Sequence, residues 1–171
     1  MIILKIKILL KSFWDFIQKR LFILMNAGSD VQCPVYKIEI KGFMSDMSGN
    51  SFCPKCNSQS RHRAFAAIYH GELGSYDLSR SSNKILHFAA EKHLQKYVFK
   101  DKLNYSTADL LEGKCQRKTD MTNMKDFKQE SLDTIIAFDV LEHIKNDHDA
   151  FSEVHGVLTI DGIFIFSVPI Q

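Results

Sequence analysis

The sequence predicts an α/β protein: a parallel β-sheet with helices on both faces, preceded by a small cysteine-containing β module. The first observation behind this is alternation. Through the second half of the 171-residue chain, apolar runs rich in β-branched residues take turns with amphipathic stretches, as strand–helix–strand units require. The second is that several of these runs are apolar along their length rather than at every other position, as strands buried on both faces require. The third is "CPKC" at residues 53–56. Cysteines that close suit a metal better than a disulfide, which favours a reducing, cytoplasmic compartment.

Residues 1–30 read as an amphipathic helix with a short tail. Ile2, Ile6, Leu9, Phe13, Ile17, Leu21 and Leu24 recur at helical spacing, with lysines largely between them. Lys5, Lys7 and Lys11 break the apolar run, so it falls short of the roughly 20 apolar residues a membrane span needs. No small-residue cleavage site follows, which argues against a secretory signal. The helix packs on the rest of the protein or lies along a membrane surface through residues 1–26. Residues 31–63 form the cysteine module, with short β-like pieces, glycines and serines. Residues 64–83 continue the helix-like "RHRAFAAIYHGEL" into the polar linker "GSYDLSRSSN".

Residues 84–171 carry the sheet. "KILHFAA" reads as a buried strand and "EKHLQKYVFKD" as a helix; "NYSTADL" and "CQRKTDM" read as short strands. "SLDTIIAFDV" has the strongest strand pattern in the chain. "NDHDAFSEVHGVL" is an amphipathic helix with Ala150, Phe151, Val154 and Leu158 on one face and Asn146 or Asp147 as its cap. "GIFIFSVP" closes as a strand. Acidic residues follow the strands in turn: Glu91 after Ala89–Ala90, then Asp109, Asp120 and Asp139. Carboxylates at the ends of parallel strands line one crevice, where such sheets bind ligands. Each aspartate also suits the turn that follows it. Asp139, Glu142 and His143 would share one face of a helix there, a carboxylate–carboxylate–imidazole set able to hold a divalent metal. A net charge of +2 leaves little to attract nucleic acid, and none is expected as a partner.

The run from "SLDTIIAFDVLEHI" to "GIFIFSVP" resembles the second half of a class I S-adenosylmethionine-dependent methyltransferase domain of the type 11-like kind. Upstream, "ILHFAAEKHL" is similar to the L-H-x-A-P-E turn that replaces the glycine-rich loop in one subgroup. There, a cysteine-rich module ending in C-P-x-C-x-S-x-x-R-H-R comes first, and residues 53–63 read "CPKCNSQSRHR". The resemblance covers roughly residues 31–171. It implies a Rossmann-like parallel sheet, C-terminally truncated relative to the family, behind a degenerate zinc-ribbon-like module. It also implies a methyltransferase using S-adenosylmethionine, with "HFAAEKHL" as the cofactor turn. His87, Phe88, Ala89 and Glu91 then belong to that turn, with the small side chains of Ala89 and Ala90 letting backbone approach the cofactor. By the same resemblance Asp109 holds the ribose, Asp120 the adenine amino group, and Met121 packs on the adenine ring. Phe138 and Asp139 flank the methionine end. His143 is the candidate general base, and also suits a role organising the helix start.

Two departures from the family pattern carry expectations of their own. A paired-knuckle zinc site needs two C-P-x-C turns, and the first turn here is "CPVY", with Tyr36 where a thiolate belongs. Cys33, Cys53 and Cys56 leave three ligands, and His62 is the candidate fourth for a structural zinc. The chain also stops at "VPIQ", before the helices and strands that complete the family sheet and most of the acceptor pocket. A small molecule or glycan is the expected methyl acceptor, and self-association through the truncated sheet edge is expected. The competing reading is a catalytically inactive, methyltransferase-like binding or scaffold module.

Overall fold

The computed structural model describes residues 17, 20, 21, 24, 25, 27–45, 49–72 and 78–169. The expected N-terminal helix lies mostly outside these residues. Of its described members, Leu24 and Met25 are helical and 71% and 77% exposed. No helix among the described residues is long and apolar enough to cross a membrane. The chain forms two compact units, Met1–Ala66 and Ala67–Gln171.

The first unit is built on two small hairpins. Strand β1 (Val31–Cys33) pairs antiparallel with β2 (Ile38–Ile40), and β3 (Met44–Ser45) with β4 (Ser51–Phe52). A helix, α1 (Ser60–Tyr69), begins just after the second cysteine turn. So small a unit has little apolar core, and its buried residues include Cys33, Val35, Ile40, Cys53, Cys56 and Phe65. The cysteines themselves are a large part of what it packs around.

The second unit holds a five-stranded parallel sheet: β5 (Ile85–Phe88), β6 (Tyr105–Asp109), β7 (Arg117–Lys118), β8 (Leu132–Phe138) and β9 (Leu158–Ser167). Their spatial order is β7-β6-β5-β8-β9. The chain starts in the middle, builds outward one way, and then returns to build outward the other way. The reversal falls between β5 and β8, the place where doubly wound sheets bind ligands. Each expected strand is present. Helix α2 (Lys92–Tyr97) joins β5 to β6, and α3 (Asp147–Val157) leads into β9.

Register explains which residues reach the ligand end. Phe88 lies beside Ala108 on one side and Ala137 on the other, so the three strands end level. Leu86, Phe88, Ile135 and Ala137 face one way, into a core shared with Ala150, Val154 and Val157 of α3. The opposite face holds His87, which meets the rings of Phe99, Tyr105 and Phe138 edge-on. Both faces are covered, which is why these strands read as continuous apolar runs.

Two local features differ from expectation. Phe151 is 40% exposed rather than part of the buried face of α3, and meets Phe164 and Phe166 on β9 edge-on. Strand β9 begins at Leu158, earlier than "GIFIFSVP" suggests, because "TIDG" forms an irregularity inside the strand. Leu132 pairs with Leu158 but Thr134 already pairs with Ile163. Gly162 permits that crowding: a Cβ there would stand 2.8 Å from the Thr159 carbonyl oxygen.

Candidate functional site

A cleft opens where β5, β6 and β8 end. It is lined by Phe88 and Ala89, Asp109 and Leu110, Thr119 to Met121, and Asp139, Val140, His143 and Ile144. Its volume of ≈ 180 Å³ is below the ~300–1,000 Å³ of ordinary small-molecule pockets, so a nucleoside-sized ligand keeps part of its surface in solvent.

The backbone at this end is unusual. Ala89 has φ +46° and Asp139 has φ +53°, both in the left-handed region that favours glycine. They flank the switch point on adjacent strands. Ala89 thus takes up the conformation that a glycine-rich turn supplies elsewhere. Its N–H donates to Ala108 O (2.9 Å), and Gln95 Nε2 donates to Ala90 O (2.8 Å), which fixes the turn on both sides. Asp139 is tied to β9: its N–H donates to Ser167 O, and its Oδ1 accepts from Ser167 Oγ at 3.0 Å.

Asp109 and Asp120 do what short acidic residues do at strand ends. Asp109 Oδ1 accepts from the N–H of Leu111 (2.8 Å). Asp120 Oδ1 accepts from both the N–H and the hydroxyl of Thr122 (2.9 and 2.8 Å). The turn role anticipated for them is therefore real, and it uses Oδ1 of each carboxylate. Met121, 3% exposed, forms part of the apolar floor, and the loop beyond it is held by Glu153 of α3, which accepts the Met124 N–H at 2.6 Å. His143 lies at the end of a 3₁₀ turn (Leu141–His143) and is exposed at the cleft wall.

The structure brings together Phe88, Ala89, Asp109, Asp120, Met121, Asp139 and His143, all named from sequence. It does not bring His87, Glu91 or Phe138 to the cleft lining. His87 and Phe138 alternate onto the other face of the sheet. There His87 is fully buried, with Nδ1 3.0 Å from the Tyr105 hydroxyl. Glu91 sits with Oε2 3.2 Å from His87 Nε2, a close contact without hydrogen-bond alignment. Burial, with a smaller contribution from the Glu91 charge, pushes the Tyr105 phenol above its ordinary value, so it stays protonated. Leu110, Thr119, Val140 and Ile144 line the cleft without having been singled out. Each neighbours a residue that was, or lies one turn beyond it, and that adjacency is the signal that could have found them. Asp139, Glu142 and His143 do not bring their ligand atoms within 4.8 Å of one another and form no ligand set. Among the described residues the metal-competent group of three is Cys33, Cys53 and Cys56.

Those cysteines sit in two turns of the same shape. In "CPVYK" the Lys37 N–H donates to Cys33 O (2.7 Å), and in "CPKCN" the Asn57 N–H donates to Cys53 O (2.9 Å). Lys37 and Asn57 both have positive φ, +54° and +63°. Tyr36 and Cys56 therefore occupy equivalent places, although Tyr36 is no ligand. The three Sγ atoms all lie within 4.8 Å of one another. Thiol hydrogen bonds from Cys53 and then Cys56 hold the Cys33 thiol far below its ordinary value. The hydrogen bond to Cys33, with burial, raises Cys53, and those to Cys33 and then Cys53, with burial, raise Cys56. Backbone N–H groups of Tyr36, Lys55, Cys56 and Ser58 also point at the sulfurs. Arg63, 9% exposed, donates to Ser51 O and Ser58 O, packs over Phe43, and feels the charge of all three cysteines. Soft donors, aligned N–H groups and a nearby cation fit a thiolate-bound metal such as zinc. His62 is not part of the group. Its Nδ1 accepts the Gln59 N–H (3.0 Å), closing the first turn of α1.

A parallel sheet reversing beside a cleft of three carboxylates defines the class: a doubly wound α/β protein with a cleft at its switch point. The family model of the methyltransferase domain matches residues 82–166, a span that takes in the whole cleft lining. The chain carries a class I, Rossmann-like methyltransferase domain, with a cysteine module ahead of it. No curated protein matches the chain.

Proposed function

We propose that this chain binds S-adenosylmethionine in the switch-point cleft and transfers its methyl group to a small-molecule or glycan acceptor. The observation that carries the reading is the placement of Asp109, Asp120 and Asp139 around one apolar-floored cleft beside the left-handed Ala89. Such a ring of carboxylates repels a phosphate and favours a cation, and the cofactor carries a sulfonium and an ammonium. When bound, the cofactor supplies an activated methyl, which leaves by direct displacement.

The chain's own residues then have distinct tasks. Asp109 Oδ2 accepts from the ribose diol, Asp120 Oδ2 from the adenine amino group, and Met121 packs on the adenine ring. Asp139 faces the methionine end. With His87, Glu91 and Phe138 turned elsewhere, the backbone of Phe88 and Ala89 makes the close approach from β5. His143, exposed at the wall, takes the proton of a hydroxyl acceptor. Calorimetry with S-adenosylhomocysteine on the purified chain tests the reading. Saturable one-site binding supports it, and absence of binding refutes it.

The cysteine unit, in the same proposal, holds one structural zinc. Metal of this kind supplies folding free energy where the apolar core is small.

A further inference from the structure

Zinc at Cys33, Cys53 and Cys56 leaves one tetrahedral position open, and neither Tyr36, which stands in place of a thiolate, nor the candidate His62 fills it. Tyr36 lies half-exposed with Lys55 Nζ over its ring, and His62 Nδ1 is engaged by the backbone of Gln59. We infer that the hydroxyl of Ser58 is the fourth ligand, making a closed Cys₃Ser zinc centre. The inference rests on the zinc reading above and goes beyond it by naming a ligand from outside both cysteine turns.

The argument is geometric. Ser58 is fully buried, with Oγ 3.1 Å from Cys56 Sγ and 3.6 Å from Cys33 Sγ, while those two sulfurs are 3.8 Å apart. A tetrahedron with Zn–S bonds of about 2.3 Å has S–S edges of about 3.8 Å, and with a Zn–O bond of about 2.0 Å it has O–S edges of about 3.5 Å. The Ser58 hydroxyl and two of the thiols already stand near the corners of such a figure. The hydroxyl is also held in place. Ser58 O accepts from the Cys53 N–H (2.9 Å) and from Arg63 Nη1 (2.6 Å), so its backbone is fixed to the second turn and to the cation together.

Charge agrees with a neutral fourth ligand. Three thiolates and a divalent zinc leave one net negative charge, and the Arg63 guanidinium supplies one positive charge beside it. A hydroxyl completes the shell without disturbing that balance, whereas a fourth thiolate leaves a negative charge in a buried place. Burial disfavours a water ligand: Cys33, Cys53 and Ser58 are 0% exposed and Cys56 only 7%. The hydroxyl of Ser58 keeps its proton on binding.

The test uses the full chain, stripped of metal and titrated with Co²⁺ and Zn²⁺. The wild-type chain should bind one Co²⁺ with tetrahedral ligand-field bands and the charge-transfer intensity of three thiolates. Ser58→Cys should raise that intensity by about one third, because only a side chain that reaches the metal adds a fourth thiolate. Ser58→Ala should weaken zinc by about 10–100-fold, and His62→Gln should leave affinity and spectrum unchanged. Unchanged affinity in Ser58→Ala, with no added intensity in Ser58→Cys, overturns the Ser58 assignment and leaves zinc standing. Loss of tetrahedral bands in His62→Gln alone also overturns it, in favour of the histidine. A wild-type chain that binds neither metal overturns the zinc reading itself.

Discussion

Replacing Ala89 with glycine should stabilise the protein, an unusual direction for a change in a strand-end turn. Ala89 has φ +46°, where an L-residue with a Cβ costs about 1–2 kcal/mol relative to glycine. Against this stands the greater freedom of glycine in the unfolded chain, about 0.5–1 kcal/mol. The methyl group loses little when removed, since Ala89 is exposed. The balance is a gain of about 0.5–1 kcal/mol, which urea denaturation should register as a higher midpoint at unchanged slope. Ala90→Gly is the matched control, because Ala90 is not at positive φ and should be destabilised by the entropy term alone. If both variants lose stability equally, the turn does not hold Ala89 in the left-handed region and the account of the glycine-free loop fails.

Asp109→Ala should weaken S-adenosylhomocysteine by about 1–3 kcal/mol in calorimetry, the range for hydrogen bonds to a charged group. An unchanged affinity removes Asp109 from the ribose site. Tyr36→Cys should tighten zinc and raise the melting temperature by letting a thiolate displace the weaker Ser58 hydroxyl, because Tyr36 stands where Cys56 stands in the matching turn, and unaltered zinc affinity would refute that equivalence. Zinc should be lost as pH falls, since each bound ion competes with thiol protons that the raised Cys53 and Cys56 hold firmly. Gly162→Ala should cost about 1–3 kcal/mol in thermal unfolding, because the added Cβ meets the Thr159 carbonyl at 2.8 Å. Among the described residues strand β9 is an edge of the sheet, with Ile160 91% and Phe166 45% exposed, so light scattering should detect self-association that Phe166→Lys reduces.

The strands and the acidic residues at their ends were legible because both follow from local rules. A strand buried on two faces must be continuously apolar, and a parallel strand ends in a turn that favours aspartate. What was not legible was the phase of alternation at the last residue of each strand. His87 and Phe88 are adjacent in sequence and equally suited to a pocket, yet only one can face it. The same one-residue ambiguity misplaced Phe138, which precedes Asp139 but turns to the opposite face. Phe151 failed for a different reason. Its helical position predicted burial, but the core of α3 is filled by the smaller Ala150, Val154 and Val157, and the ring is left beside Phe164 and Phe166 at the rim. Ser58 was visible only as a letter in a motif. Its part depends on an Oγ–Sγ distance to Cys33, 25 residues away, which no local pattern encodes.

The glycine-free turn shows how those misplaced residues still serve the site. A left-handed alanine persists only where its surroundings determine it more strongly than its own preference. From below, His87 is fixed between Tyr105, Phe99 and Phe138, and its Nε2 stands 3.2 Å from Glu91 at the far end of the turn. From the side, Ala89 is bonded to Ala108 and Ala90 to Gln95. The turn between residues 87 and 91 is thus held at both ends and in the middle. Glycine reaches this conformation by freedom; here the chain reaches it by constraint. The histidine and glutamate that the resemblance assigns to the cofactor turn lie beneath the cleft lining and hold the backbone of the turn.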